Sequence, residues 1–143
     1  MNQQKILIAA IAGGLTLFAG GFVFYVLIFS NADFILNSVS EGISRETVLF
    51  PTIILMELLY GFLLAVVLGW KKAHNFGSGL MAGAFIGLLI GVTFGLDLFS
   101  TTHMVQVGGI IFWGITYSIR YGFSGGVIGV IYQAKKVPDK VTG

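Results

Sequence analysis

Gly79-Leu80-Met81-Ala82-Gly83-Ala84-Phe85-Ile86-Gly87-Leu88-Leu89-Ile90-Gly91-Val92-Thr93-Phe94-Gly95 carries a glycine at every fourth position of an otherwise apolar run. Four residues advance an α-helix by slightly more than one turn. Gly79, Gly83, Gly87, Gly91 and Gly95 therefore form one stripe, a smooth groove that winds slowly round the helix. In water each such glycine costs about 1 kcal/mol relative to alanine. In a bilayer the balance changes, because lipid tails are as apolar as leucine and helices associate through the close van der Waals contact that small residues permit. The spacing, that of a glycine zipper, predicts a membrane helix made to be packed against.

The rest of the chain agrees with a lipid solvent. Of 143 residues, 56% are hydrophobic and 10% charged, and the mean hydropathy is +0.93; soluble domains carry about 25% charged residues. Without cysteine there is no disulfide, no thiolate nucleophile and no cysteine-held metal. A net charge of +2 comes from basic residues scattered over helix ends. That is not the basic patch of a nucleic-acid binder.

Working outward from the glycine row, the chain divides into four apolar spans. Residues 6–29 lack any charge and are long enough to cross a hydrocarbon core of about 30 Å. The rival reading, a cleaved signal peptide with small residues at Ala19-Gly20-Gly21, sits badly with the apolar run that continues to Phe29. A second span covers 48–70, with Thr47 as a candidate N-cap, Pro51 in the first turn, and Trp70 followed by Lys71 and Lys72 as an interface anchor. Gly61, Ala65 and Gly69 repeat small-residue spacing on it. The breaker-rich Asn75-Phe76-Gly77 leads into a third span at 78–99, and a fourth covers 107–132. Between the first two spans, the polar outer loop 30–47 has Ile35, Val39 and Ile43 at i+4 spacing, which fits either a surface-lying helix or a flexible loop. Residues 133–143 form a basic tail stopped by Pro138.

Lys5, Lys71, Lys72, Lys135, Lys136 and Lys140 fall on one side of a four-span arrangement, and Arg45 alone falls on the other. The positive-inside rule then puts both termini in the cytoplasm. The expected fold is all-α: a single membrane domain, an up-and-down four-helix bundle with short connections between antiparallel neighbours.

Three ionisable residues lie within spans: Glu57, Asp97 and Arg120. Each costs about 2.5 to 3.5 kcal/mol at the bilayer centre on insertion scales. Arg120 lies deeper than Glu57, and a long arginine side chain can reach back towards it; Asp97 is near the outer boundary. Trp113, Thr116, Tyr117 and Ser124 share the Arg120 face, and Tyr60 and Gly61 share that of Glu57. These faces turned inward predict a polar pocket in the outer half of the bundle, with Glu57, Arg120, Asp97, Tyr60, Trp113, Thr116 and Tyr117 as its residues. A structural ion pair that fixes the register of helices two and four is the other reading, and the charge state of Glu57 is open between the two.

No catalytic motif is present. Ser100, His103 and Asp97 lie within one short turn and lack the context of a triad. Two potential ligands, Asp97 and His103, do not make a metal site. No enzyme activity, metal or cofactor is expected.

The run from Phe76 to Gly87, the ending Gly125-Gly126-Val127-Ile128-Gly129 and the Phe24-Tyr25 end of the first span resemble the small four-span bacterial membrane proteins grouped as families of unknown function. The resemblance implies four spans and a bacterial cytoplasmic membrane, and brings no activity with it. Two functions follow as expectations. One is a non-enzymatic packing or accessory module whose glycine-rich faces bind further copies or a larger membrane complex. The alternative is a small carrier or channel working through Glu57 and Arg120. The absence of proline within the spans after Pro51, and of internal repeats, favours the first.

Overall fold

The computed structural model describes residues 3–28 and 47–133. Its helices are α1 (Gln3–Phe22), which continues as a π-helical segment (Val23–Ile28), α2 (Phe50–Trp70), α3 (Phe76–Thr101) and α4 (Val107–Gln133). The expected surface helix around Ile35, Val39 and Ile43 and the basic tail beyond Gln133 lie outside the described residues. Three helical stretches are long and apolar enough to cross a membrane: Gln3–Val26, Phe50–Trp70 and Phe76–Thr101. The 27 residues of α4 are long enough but less apolar.

Local chemistry explains where the helices begin and end. Pro51 lies in the first turn of α2, as its missing donor requires, but Leu49 and not Thr47 occupies the N-cap position, and no side chain caps it. At the other end the chain turns through Lys72 with a φ of 56°. The Ala73 amide donates back to the Leu68 carbonyl at 3.0 Å, a closure in which glycine usually supplies the left-handed residue. Asn75-Phe76-Gly77 reads as a breaker in sequence. The Asn75 side chain nevertheless accepts from the Ser78 amide at 2.8 Å, and that cap starts α3 two residues earlier than expected.

The helices alternate in direction, and contacts give their arrangement. On α1, Gly14 lies against the Leu58 backbone of α2, and Gly61 of α2 in turn meets the backbone of Ala10 and Gly14. The other side of α1 rests on α4, where the Ser124 hydroxyl donates to the Gly13 carbonyl at 2.9 Å. Tyr132 of α4 donates its hydroxyl to the Ala65 carbonyl of α2 at 2.6 Å. Although joined by a short turn, α2 and α3 scarcely touch. The neighbour relation expected from short connections thus fails for this pair. The reason is that α3 has turned its entire glycine stripe to α4.

That interface has one register throughout. A Cβ on Gly79 would run into the carbonyl oxygen of Gly125; on Gly83, that of Tyr121; on Gly87, that of Tyr117; on Gly91, that of Trp113. The glycines advance by four while their α4 partners step back by four, so each turn of α3 lies against one turn of an antiparallel helix. Gly95 closes the series on the Ile110 Cα, where a Cβ would lie 2.8 Å away. Gly125 and Gly129 return the contact from α4, against the carbonyls of Gly79 and Asn75. Backbone-to-backbone approach of this kind needs Cα hydrogens in place of side chains at every crossing, and Cα–H···O contacts add weakly to it.

Candidate functional site

Glu57 and Arg120 meet where α1, α2 and α4 converge. Arg120 is 4% exposed and Glu57 4%, and the Arg120 Nη2 donates to Glu57 Oε1 in a buried ion pair. The same Nη2 donates to the Leu17 carbonyl of α1 at 2.9 Å, so the guanidinium ties three helices. Its seat exists because α1 has no side chains there. A Cβ on Gly21 would lie 2.9 Å from Nη2, and one on Gly20 would lie 3.3 Å from the Arg120 Cγ.

Two tyrosine rings flank the guanidinium: Tyr25 at 5.5 Å and Tyr117 at 5.4 Å from the ring centroids. Each is within cation–π range. Tyr117 stacks on Tyr121 at 5.6 Å, and Tyr121 meets Tyr60 of α2 edge to face at 5.7 Å. A line of rings therefore runs from Tyr25 past Arg120 to the side of α2. Tyr25 escaped the sequence reading as a site residue. It sits in the π-helical segment, where the side-chain direction no longer follows α-helical spacing.

The remaining expected residues are dispersed. Thr116 and Ser124 are buried on α4. Trp113 turns to α3, where it packs on Phe94 at 5.1 Å. Asp97 is exposed near the end of α3 and takes no part. An open groove of about 360 Å³ runs along α2, lined by Thr52, Leu55, Met56, Leu59 and Tyr60.

Two buried donors have no hydrogen-bond partner among the described residues, Arg120 Nε and the Tyr121 hydroxyl. Buried donors are rarely left unpaired, and where they are, an unassigned acceptor is one of the explanations. No group of three or more metal-ligating side chains comes together among the described residues. Comparison with protein-family models, with curated proteins and with solved structures finds no match for this chain.

Proposed function

We propose that the chain is a multi-pass protein of a bacterial cytoplasmic membrane, with four spans and both termini inside, acting as a non-enzymatic accessory module. The observation that carries this reading is the single register of α3 on α4. An interface in which backbone meets backbone at every turn leaves little room for the sliding or rocking that carriers use. It makes a rigid body. Because the glycine faces of α1 and α3 are spent on α2 and α4, a partner helix would meet the outward side of α3, with Met81, Phe85 and Leu89 exposed along it.

Crossing by α4 is supported by what it exposes. Val107, Ile111, Ile115, Ile119 and Phe123 recur at i+4 and are exposed, while Arg120, Thr116 and Ser124 are buried. Single cysteines test the topology, since the chain has none of its own. Lys72→Cys and Gln133→Cys should both be protected from an impermeant maleimide in intact cells, and Thr101→Cys should label. Labelling of Gln133→Cys alongside Thr101→Cys would remove α4 from the membrane.

Mass measurement of the protein released gently from its native membrane tests the module itself. A complex of fixed stoichiometry, dispersed by Phe85→Ser on the outward side of α3, is the expected result. A bare chain would instead favour the second reading, a small carrier, which the two unpartnered donors at Arg120 and Tyr121 support.

A further inference from the structure

Basic side chains gather at the end of the bundle where α2 gives way to α3. Lys71 and Lys72 lie in that turn, and α1 begins at the same end, with Lys5 in its first turn. Both turn lysines are exposed, and neither has an ion-pair partner among the described residues. The described carboxylates are two, and remote. At the rise of a helix, Glu57 lies about 20 Å back along α2, spent on Arg120, and Asp97 lies about 30 Å away towards the far end of α3. Both distances exceed the Debye length of about 8 Å at physiological ionic strength. Nothing in the described chain therefore offsets the positive charge of the turn.

The turn holds that charge in a fixed place. The Ala73 amide closes on the Leu68 carbonyl at 3.0 Å, Ala73 is buried, and the His74 ring meets the Tyr132 ring edge to face at 6.5 Å. Lys72 takes the left-handed position of the closure, at a φ of 56°. Glycine would sit there without strain. The chain instead accepts a conformation that disfavours a lysine and keeps a second charge beside Lys71, and strained positions of this kind cluster at functional sites. Apolar rings complete the surroundings: Trp70 is 74% exposed immediately before the lysines, and Phe76 is 43% exposed at the start of α3.

Paired cations beside exposed rings at the end of a membrane helix match one class of molecule. We propose that the turn between α2 and α3 binds the headgroup of an anionic phospholipid, its phosphate held by Lys71 and Lys72 and its upper acyl chain lying against Trp70. Lysine serves phosphate as a point charge, and adjacent Cα atoms about 3.8 Å apart let two flexible stems reach one headgroup. Trp70 selects the lipid over a soluble phosphate, because an indole at the interface meets acyl chain and headgroup together. The N-terminus of α3 is not part of the site, since Asn75 already takes the Ser78 amide. The inference needs α2 and α3 to lie in a bilayer. It depends neither on the accessory role nor on which side of the membrane the turn occupies.

The test uses the full chain in vesicles of phosphatidylcholine with a small fraction of phosphatidylglycerol, the acyl chains of one lipid or the other carrying bromine. Trp113→Phe leaves Trp70 as the single tryptophan, and its quenching reports which lipid sits beside it. Each lysine near the surface is worth about fivefold in association, so phosphatidylglycerol should be preferred by about fivefold to thirtyfold. Lys71→Gln combined with Lys72→Gln should remove the preference, and the matching pair of arginines should keep it. Lys72→Gly should weaken it by about fivefold while the melting temperature rises, a combination that misfolding does not produce. Trp113, read in Trp70→Phe, should show no preference. An equal preference at Trp113, no preference at Trp70, or one that survives the glutamine pair would overturn the site. So would loss of the preference in inorganic phosphate but not in sodium chloride of equal ionic strength, because the site would then belong to a soluble ligand. Maleimide labelling of Lys72→Cys in cells tests the topology separately and can fail without moving these ratios.

Discussion

Alanine at the glycines of α3 is the sharpest test of the packing. A Cβ on Gly87 would lie 2.6 Å from the Tyr121 Cβ and 2.7 Å from the Tyr117 carbonyl carbon. On Gly83 it would lie 2.9 Å from the Tyr121 carbonyl carbon and 3.1 Å from the Gly125 Cα. Carbon atoms are comfortable at about 3.5 to 4.0 Å, so α3 must withdraw by roughly 1 Å. The atoms in the way are mainly backbone of a helix and cannot rotate aside. Withdrawal opens the neighbouring crossings too, and a gap of about 0.5 to 1 Å forfeits a quarter to a half of each van der Waals contact. Overpacking of this kind costs about 1 to 3 kcal/mol, and the better helix propensity of alanine returns up to about 1 kcal/mol. Gly83→Ala and Gly87→Ala should each destabilise by about 1 to 2 kcal/mol. Both require the same withdrawal, so the double variant should fall short of the sum by about 0.5 kcal/mol or more. Gly77→Ala is the control: its Cβ would meet only the Asn75 Oδ1, at 3.6 Å, and should do no harm. Unfolding by SDS in mixed micelles, followed by Trp113 fluorescence in a Trp70→Phe background, reads the interface directly because Trp113 packs on Phe94 across it. Single alanines costing less than about 0.5 kcal/mol, or a strictly additive double, would refute the register as the source of tight packing.

Removing one partner of the ion pair should be worse than removing both. Glu57→Leu leaves a guanidinium that cannot neutralise itself and should cost about 3 to 5 kcal/mol, Arg120→Leu should cost less because a carboxyl can take up a proton, and the double leucine variant less than Glu57→Leu alone, as thermal melts in detergent would show. Tyr25→Ala should lose about 0.5 to 2 kcal/mol with the cation–π contact, while Tyr25→Phe should stay close to the parent in the same melts. Lys72→Gly relieves a side chain held at a φ of 56°. It should raise stability by about 0.5 to 1 kcal/mol, since the left-handed region costs an ordinary residue about 1 to 2 kcal/mol and glycine gives part of that back in unfolded-chain entropy.

Much of the helical layout is legible in the sequence because apolar runs and breakers are local signals. The run ending at Trp70, with Lys71 and Lys72 behind it, marks the end of α2 to the residue. Glu57 and Arg120 stand out for a similar reason: an ionisable residue well inside an apolar run has few places to go except towards another. Spacing shows which residues share a face but not what the face meets. The glycine row was plain in sequence, whereas its one-to-one match with the carbonyls of Gly125, Tyr121, Tyr117 and Trp113 depends on α4 being placed beside it. Trp113 shares the Arg120 face by counting, yet it turns to Phe94. Tyr25 was hidden by a break in periodicity, since π-helical turns shift every later side chain out of the expected direction. Asn75 was misread because one residue type serves both turns and caps, and only the Ser78 amide decides between them.

The modest apolarity of α4 has the same origin. Mean hydropathy weighs every side chain alike, but a helix wrapped by others shows lipid only a strip of itself. α4 makes contact with α1, α2 and α3, and its polar residues Arg120, Thr116 and Ser124 lie within those contacts. Five of its glycines face neighbouring backbone or side chains, and glycine lowers mean hydropathy without adding anything polar to the surface. What it exposes, from Val107 through Ile111, Ile115 and Ile119 to Phe123, is as apolar as the outer side of α3. The polar content of α4 is therefore what a central helix requires. It supplies the carbonyls that the glycines of α3 pack against, the hydroxyl that holds Gly13, and the guanidinium that joins α1 to α2. A more apolar α4 would leave Glu57 buried without a partner and the α1–α2 hairpin without its tie to the rest of the chain.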